Sequence, residues 1–179
     1  GWRIFTPQCV VETKAIINAA GLYADDIAKM AGFDGYKIYP VRGEYYEVIG
    51  EKKNLVSRLV YPAVPRGYPG KGIHFGPRPD GRLFIGPNAR AVPSKNYYTE
   101  DKTPPEVFLK TAKRFFPQLE EKDLVWAYSG IRPKITPGTE ESDFIISLDK
   151  KSPQFVNLIG IESPGLASCM AIAEYVAHI

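Results

Sequence analysis

The stretch Ile16-Ile17-Asn18-Ala19-Ala20-Gly21-Leu22-Tyr23-Ala24-Asp25-Asp26-Ile27-Ala28-Lys29-Met30-Ala31-Gly32 reads as a strand, a corner and a helix in direct succession. Ala15, Ile16 and Ile17 form a continuous apolar run rather than an alternating one. That pattern predicts a strand buried on both faces, as in a parallel sheet. Asn18 to Gly21 is a turn of small residues. Leu22 to Ala31 then reads as a helix, apolar at Leu22, Ile27 and Met30, with Gly32 placed to stop it. A second unit of this kind stands near the other end of the chain. Phe155 to Ile161 is again continuously apolar, and Ser163 is expected to cap a helix with Pro164 at its first position.

Between the two units the texture changes. Tyr36 to Ile49 is aromatic and β-branched with partial alternation. Arg58 to Ala63, Gly72 to Phe75 and Arg82 to Ile85 read as further short strands, and Pro79-Asp80-Gly81 predicts a hairpin turn between the last two. Thr103-Pro104-Pro105-Glu106 reads as a helix start: Thr103 as cap, Pro104 at the first position and Glu106 completing a capping box. Pro117 ends that helix, and strands return over 124–135 and 144–148. The fold class expected is therefore α+β. An antiparallel or mixed sheet flanked by helices fills residues 36–151, and the outer segments 1–35 and 152–179 supply βα units of one layered domain.

Composition bounds the function. Of 179 residues, 44% are hydrophobic and 24% charged, which suits a globular domain with a real core. A net charge of +3 without a basic stripe argues against nucleic acid as a partner. The two cysteines, Cys9 and Cys169, stand far apart and the only histidines are His74 and His178, so no zinc site is expected. Free thiols fit a reducing cytoplasm. No apolar run is long enough to span a bilayer, which leaves peripheral contact with the inner membrane open. The start lacks Met and the last helix lacks a stop signal, so both ends read as cuts within a longer protein.

Five segments could carry chemistry. The small residues Asn18, Ala19, Ala20 and Gly21 let backbone N–H groups approach an anionic or extended ligand, though they equally suit a turn made small for packing. The run Gly160-Ile161-Glu162-Ser163-Pro164-Gly165-Leu166-Ala167-Ser168 leads a strand into a helix whose first N–H groups are unpaired; an ordinary capped helix is the plainer account. Arg132, stiffened between Ser129-Gly130-Ile131 and Pro133-Lys134, can hold a carboxylate through two parallel bonds, or form a salt bridge with Glu140, Glu141 or Asp143. Gly43 in Arg42-Gly43-Glu44 marks close approach by another group, or a bulge with a solvated charge pair. His74 is the one strand histidine able to accept a proton near neutral pH, although a lone strand histidine is more often structural.

Together, IINAAGLYADDIAKMAG (16–32), VRGEYY (41–46), LVYPAVP (59–65), GIHF (72–75), GPNA (86–89), SGIRPK (129–134) and NLIGIESPGLASCMAIAEYV (157–176) resemble the FAD-dependent oxidoreductases of the D-amino acid oxidase type. The likeness is greatest to the L-2-hydroxyglutarate oxidase group, also called glycerol-3-phosphate-dehydrogenase-related. The resemblance implies FAD as cofactor. It assigns contacts with FAD to Asn18, Ala19, Ala20, Gly21, Gly43, Gly160, Ser163, Pro164, Gly165, Leu166 and Ala167. It makes Arg132 the clamp on the substrate carboxylate, sets His74 near the substrate hydroxyl, and adds Tyr61 on the substrate side. It makes 36–151 the substrate-binding domain and the outer segments remnants of a Rossmann-like FAD-binding domain. The family's opening GxGxxG, which holds the FAD pyrophosphate, does not occur here, so this chain is expected to hold FAD poorly without a preceding segment.

The activity implied is oxidation of a 2-hydroxy acid, such as L-2-hydroxyglutarate, to the 2-oxo acid. Two rival expectations stand beside it. One is FAD-dependent oxidation of glycerol 3-phosphate, which needs a cationic phosphate pocket. The other is a non-catalytic domain that binds partners or is merely structural.

Overall fold

The structure is a computed structural model, and it describes residues 1–63, 72–138 and 142–179. The strands are β1 (Trp2–Phe5), β2 (Val10–Thr13), β3 (Ile16–Asn18), β4 (Tyr39–Val48), β5 (His74–Pro77), β6 (Leu83–Gly86), β7 (Arg90–Ala91), β8 (Leu124–Lys134), β9 (Ile145–Asp149) and β10 (Ser152–Ile159). The α-helices are α1 (Ala24–Met30), α2 (Pro105–Ala112) and α3 (Gly165–His178). Two compact units result. The first holds Gly1–Tyr39, Pro133–Pro137 and Ser142–Ile179, and the second holds the described residues of Pro40–Arg132 together with Gly138. Residues 142–151 thus stand with the outer segments rather than with the middle block, because β9 hydrogen-bonds to β10.

In the first unit the apolar run of β10 is buried from Phe155 to Ile159. It forms the middle of a sheet ordered β3-β10-β9, parallel to β3 and antiparallel to β9. Helix α1 lies close to this sheet because the residues it turns inward are small: Ala24 meets Ile38 and Ile159, and Ala28 meets Phe33 and Phe155. Gly32, at φ +85°, ends the helix in the left-handed region, and Phe33 N–H closes on the Ala28 carbonyl at 2.9 Å. Burial on both faces of β3 is not found. Ile17 is 58% exposed, since β3 is an edge strand and the helix meets the face bearing Ile16 and Asn18. Ahead of this sheet, β1 and β2 pair as a separate antiparallel hairpin.

In the second unit the sheet order is β5-β6-β4-β7, with β8 also pairing β4. Alternation along β4 turns Arg42, Glu44, Tyr46 and Val48 to a buried face. Tyr46 and Val48 join Phe75, Leu83 and Ile85 from neighbouring strands, and Phe108, Leu109 and Ala112 of α2 close the core. Burial of each large side chain there is worth about 1.5–3 kcal/mol. The β5–β6 hairpin forms as expected, with Gly81 N–H donating to the Arg78 carbonyl at 3.0 Å.

Three local expectations differ from the structure. Arg58–Ala63 contributes a single antiparallel bridge, Val60 to Phe75, because Pro62 has no N–H to extend a ladder; residues 64 and 65 of that motif lie outside the described residues. Helix α2 has Pro104 as its N-cap and Pro105 inside it, without a side-chain cap. Thr103 is occupied elsewhere: its N–H and hydroxyl both donate to the buried Glu44 carboxylate, a stronger acceptor than a helix N–H is a donor. Helix α3 likewise has Pro164, not Ser163, at its N-cap, since Gly165 N–H already closes a turn on the Glu162 carbonyl.

Candidate functional site

The residues expected to carry chemistry fall in two groups, one in each unit. In the first unit, β3 and β10 are parallel, with Asn18 directly opposite Asn157, so both strands end at the same side of the sheet. The corner 18–21 and the corner 160–168 therefore leave from neighbouring strand ends. This is the side where open α/β sheets receive ligands. Asn18 is buried and ties the first corner: its Nδ2 donates to the Ala24 carbonyl at 2.7 Å and to Asn157 Oδ1 at 2.9 Å. Ala19 and Ala20 are exposed, and Gly21 takes φ +55° to start the helical turn. Asn157, to which the sequence motifs gave no role, passes the tie on through Nδ2 to Asp149 at 3.3 Å.

The second corner is set by Gly160, at φ +76°. A Cβ there would lie 2.7 Å from Ile135 Cγ2, so only glycine lets the chain turn against that side chain. Lys134 and Glu162 form a largely buried ion pair at 2.6 Å that holds the corner. Ser163, Pro164, Leu166 and Ala167 are exposed while Gly165 is buried, packed so that a Cβ would lie 2.5 Å from Ile161 Cγ2. The first N–H groups of α3 thus stand at an open, positively polarised helix end.

In the second unit one sheet face faces away from the core. Phe75 is buried in the core, so His74 beside it points to the opposite face. His74 pairs with Gly86, and continuing the Tyr46–Ile85 register sets Gly86 beside Tyr45. The antiparallel bridge of Val60 to Phe75 sets the exposed Tyr61 beside His74 on the other side. Tyr45 stacks on Tyr128 at 4.7 Å between ring centroids. Arg78 lies over Tyr128 at 5.0 Å and donates to its hydroxyl. Tyr61, His74, Tyr45 and Tyr128 thus form a row across the strands, and Gly86, where a Cβ would lie 2.9 Å from Tyr45 Cδ1, lets the Tyr45 ring lie across it.

Arg132 sits at the Gly43 end of this face. A Cβ on Gly43 would lie 2.6 Å from Arg132 Nη2, and both guanidinium Nη atoms donate to the Asn88 carbonyl, at 3.3 and 3.4 Å. The close approach that Gly43 allows is made by Arg132. Of the salt-bridge partners weighed for Arg132, Glu140 and Glu141 lie outside the described residues.

The pair Arg42 and Glu44 is fully buried rather than solvated, 3.4 Å apart. Arg42 Nη atoms donate to the carbonyls of Tyr97, Glu100 and Asp101. Glu44 accepts from Thr103 and, at 3.0 Å, from Asn88 Nδ2. Burial pushes its carboxyl upward, but the bonds from Thr103 and Asn88 and the charge of Arg42 outweigh that and hold it below its ordinary value. Burial lowers the pKa of His74, against a weaker opposing contact with the Gly72 carbonyl, so the ring is neutral at neutral pH. Burial raises Tyr45, and the nearby charges of Arg132 and Arg78 partly offset the rise.

A family model for FAD dependent oxidoreductases, the DAO family, matches residues 1–179. The chain belongs to this family. A glycerol 3-phosphate dehydrogenase of Caloramator mitchellensis is 34% identical over all of this chain and 36% of its own length. A mitochondrial L-2-hydroxyglutarate dehydrogenase of Arabidopsis thaliana is 34% identical over 91% of this chain and 37% of its own. The dithionite-reduced L-alpha-glycerophosphate oxidase of Mycoplasma pneumoniae, with FAD bound, superposes with a TM-score of 0.77 at 30% identity, over 92% of this chain and 42% of that one. The chain thus spans well under half the length of these DAO relatives. Among the described residues, no helix is long and apolar enough to cross a membrane.

Proposed function

We propose that this DAO-family chain supplies the substrate-binding part, and two cofactor-contacting corners, of an enzyme that oxidises an L-2-hydroxyglutarate-like 2-hydroxy acid to the 2-oxo acid. The observation that carries the reading is the placement of Arg132, backed by Gly43 and the Asn88 carbonyl, on the sheet face that bears His74. A guanidinium so braced receives a carboxylate through two parallel bonds. In this reading the second unit, which makes up most of the expected 36–151, is the substrate domain, and the first unit, which holds 1–35 and 152–179, belongs to the cofactor domain.

The residues at the two corners fit FAD. Ala19, Ala20, Leu166 and Ala167 are exposed, Gly21 and Gly165 add no side chain, and the start of α3, beyond the Gly165 N–H that bonds the Glu162 carbonyl, offers its positively polarised end to an anionic edge. When bound, the flavin supplies the two-electron acceptor. Arg132 orients the carboxylate and so fixes which face of the α-carbon is presented. His74, neutral at neutral pH, takes the hydroxyl proton as the C–H electrons leave, and the product carbonyl forms. Cys9 and Cys169 are free, which suits a cytoplasmic enzyme.

The test is Arg132→Lys in the full-length flavoprotein, with steady-state kinetics on 2-hydroxy acids. An apparent KM raised by about tenfold or more, with slower turnover, supports the clamp, since a point charge replaces a fork. Unchanged kinetics refute it. A second reading, oxidation of glycerol 3-phosphate, is favoured by the presence of Arg78 as a second cation near Tyr45. A substrate screen of both classes separates the two.

A further inference from the structure

Asn88 links the buried Glu44 and Thr103 to the Arg132 guanidinium. Its Nδ2 donates to Glu44 Oε2 and to Thr103 Oγ1, each at 3.0 Å, and its Oδ1 accepts from Glu44 N–H at 2.8 Å. Three bonds to a buried strand and to the start of a helix leave this side chain one orientation. The same residue's carbonyl accepts from both Nη atoms of Arg132. Gly43 occupies the opposite side, 2.6 Å from Nη2 if a Cβ were added. Arg42, paired with Glu44, anchors the network to the carbonyls of Tyr97, Glu100 and Asp101.

We infer that Asn88 is a positioning residue for substrate recognition: held by Glu44 and Thr103, it aims the Arg132 guanidinium, and Gly43 is the floor that keeps it in place. The inference rests on Arg132 being the carboxylate clamp. Asn88 makes no contact with substrate in this scheme. Its role is to spend two guanidinium hydrogens on a fixed carbonyl, so that the remaining edge has one direction in which to offer a fork. Loss of the side-chain bonds frees the 88 carbonyl to move, and Arg132 follows it.

A double-mutant cycle in the full-length flavoprotein tests this. The variants are Asn88→Ala, Arg132→Lys and the pair, each measured for KM, kcat, flavin content and Tm. Asn88→Ala alone should raise KM for the 2-hydroxy acid by about tenfold, with a smaller change in kcat, since misaiming one clamp group costs that much or more. In the Arg132→Lys background the same change should raise KM by less than about twofold, because the partner through which it acts is gone. A merely structural role lowers Tm equally in both backgrounds and multiplies through independently in KM. That result overturns the inference while leaving the clamp intact. No effect of Arg132→Lys alone overturns both. If Asn88→Ala does not accumulate, Gly43→Ala displaces the guanidinium from the other side without touching the network. It must show the same coupled rise in KM, and an uncoupled one rejects the proposal.

Discussion

Asn18 on β3 and Asn157 on β10 share a buried hydrogen bond of 2.9 Å, made between residues that are exact partners in a parallel register. That bond sits where both strands run out into their corners, so it fixes one corner relative to the other. Asn18 also holds the Ala24 carbonyl at 2.7 Å, which locks the path of the chain into α1. Two backbone corners and a helix start thus depend on one side chain.

Replacing Asn18 by Ala removes both donors and leaves the Ala24 carbonyl and Asn157 Oδ1 buried without them. The expected loss is about 1–3 kcal/mol of stability. Urea denaturation of the full-length protein measures it. On the proposed reading the flavin should also dissociate more readily, since a corner proposed to contact it has lost its tie. Wild-type stability in the variant would show that the bond holds nothing.

Glu44 predicts an acid-sensitive second unit. Its folded pKa lies below its ordinary value of 4.5, so it contributes stability above that value. The contribution is lost as pH falls from there through the lower folded pKa, because the unfolded chain binds the proton first. Glu44→Gln should flatten this part of the acid unfolding curve. At neutral pH it should also cost about 3–5 kcal/mol, because buried Arg42 loses its charge partner. Thermal unfolding between pH 3 and pH 7 reads both effects.

His74 has the opposite charge logic. Burial disfavours its protonated form, so the proposed base is in its accepting form at neutral pH and lost on acidification through a pKa below 6.5. The acidic limb of kcat/KM should follow that titration. His74→Ala should lower kcat by about 10²–10⁴-fold and remove the limb. A variant that keeps both the rate and the limb assigns the base elsewhere.

Gly160→Ala asks whether the second corner tolerates any side chain. The residue sits at φ +76°, and the new methyl would lie 2.7 Å from Ile135 Cγ2. Strain plus overpacking should cost about 1–3 kcal/mol. Flavin content of the purified enzyme should fall alongside Tm. A corner that shifts without loss of either would show slack that the packing does not suggest.

Much of this protein is legible in its sequence. Continuous apolar runs marked the strand of 155–159, small residues marked both corners, and Pro79-Asp80-Gly81 marked the hairpin, because each is a local signal acting over a few residues. The choice of partners is not local. Arg42-Gly43-Glu44 read equally well as a solvated pair, and only the fold shows Arg42 and Glu44 fully buried and Gly43 under the Arg132 guanidinium. Thr103 carried the signature of a helix cap, yet a carboxylate fifty-nine positions earlier in the chain claims its hydroxyl. Asn88 gave no sign of its place between Glu44 and Arg132. Local conformation follows from which backbone angles a residue tolerates and which side of an element is apolar. Which distant groups satisfy a buried polar atom is decided by the assembled sheet, since that choice exists only after water has been excluded from both partners.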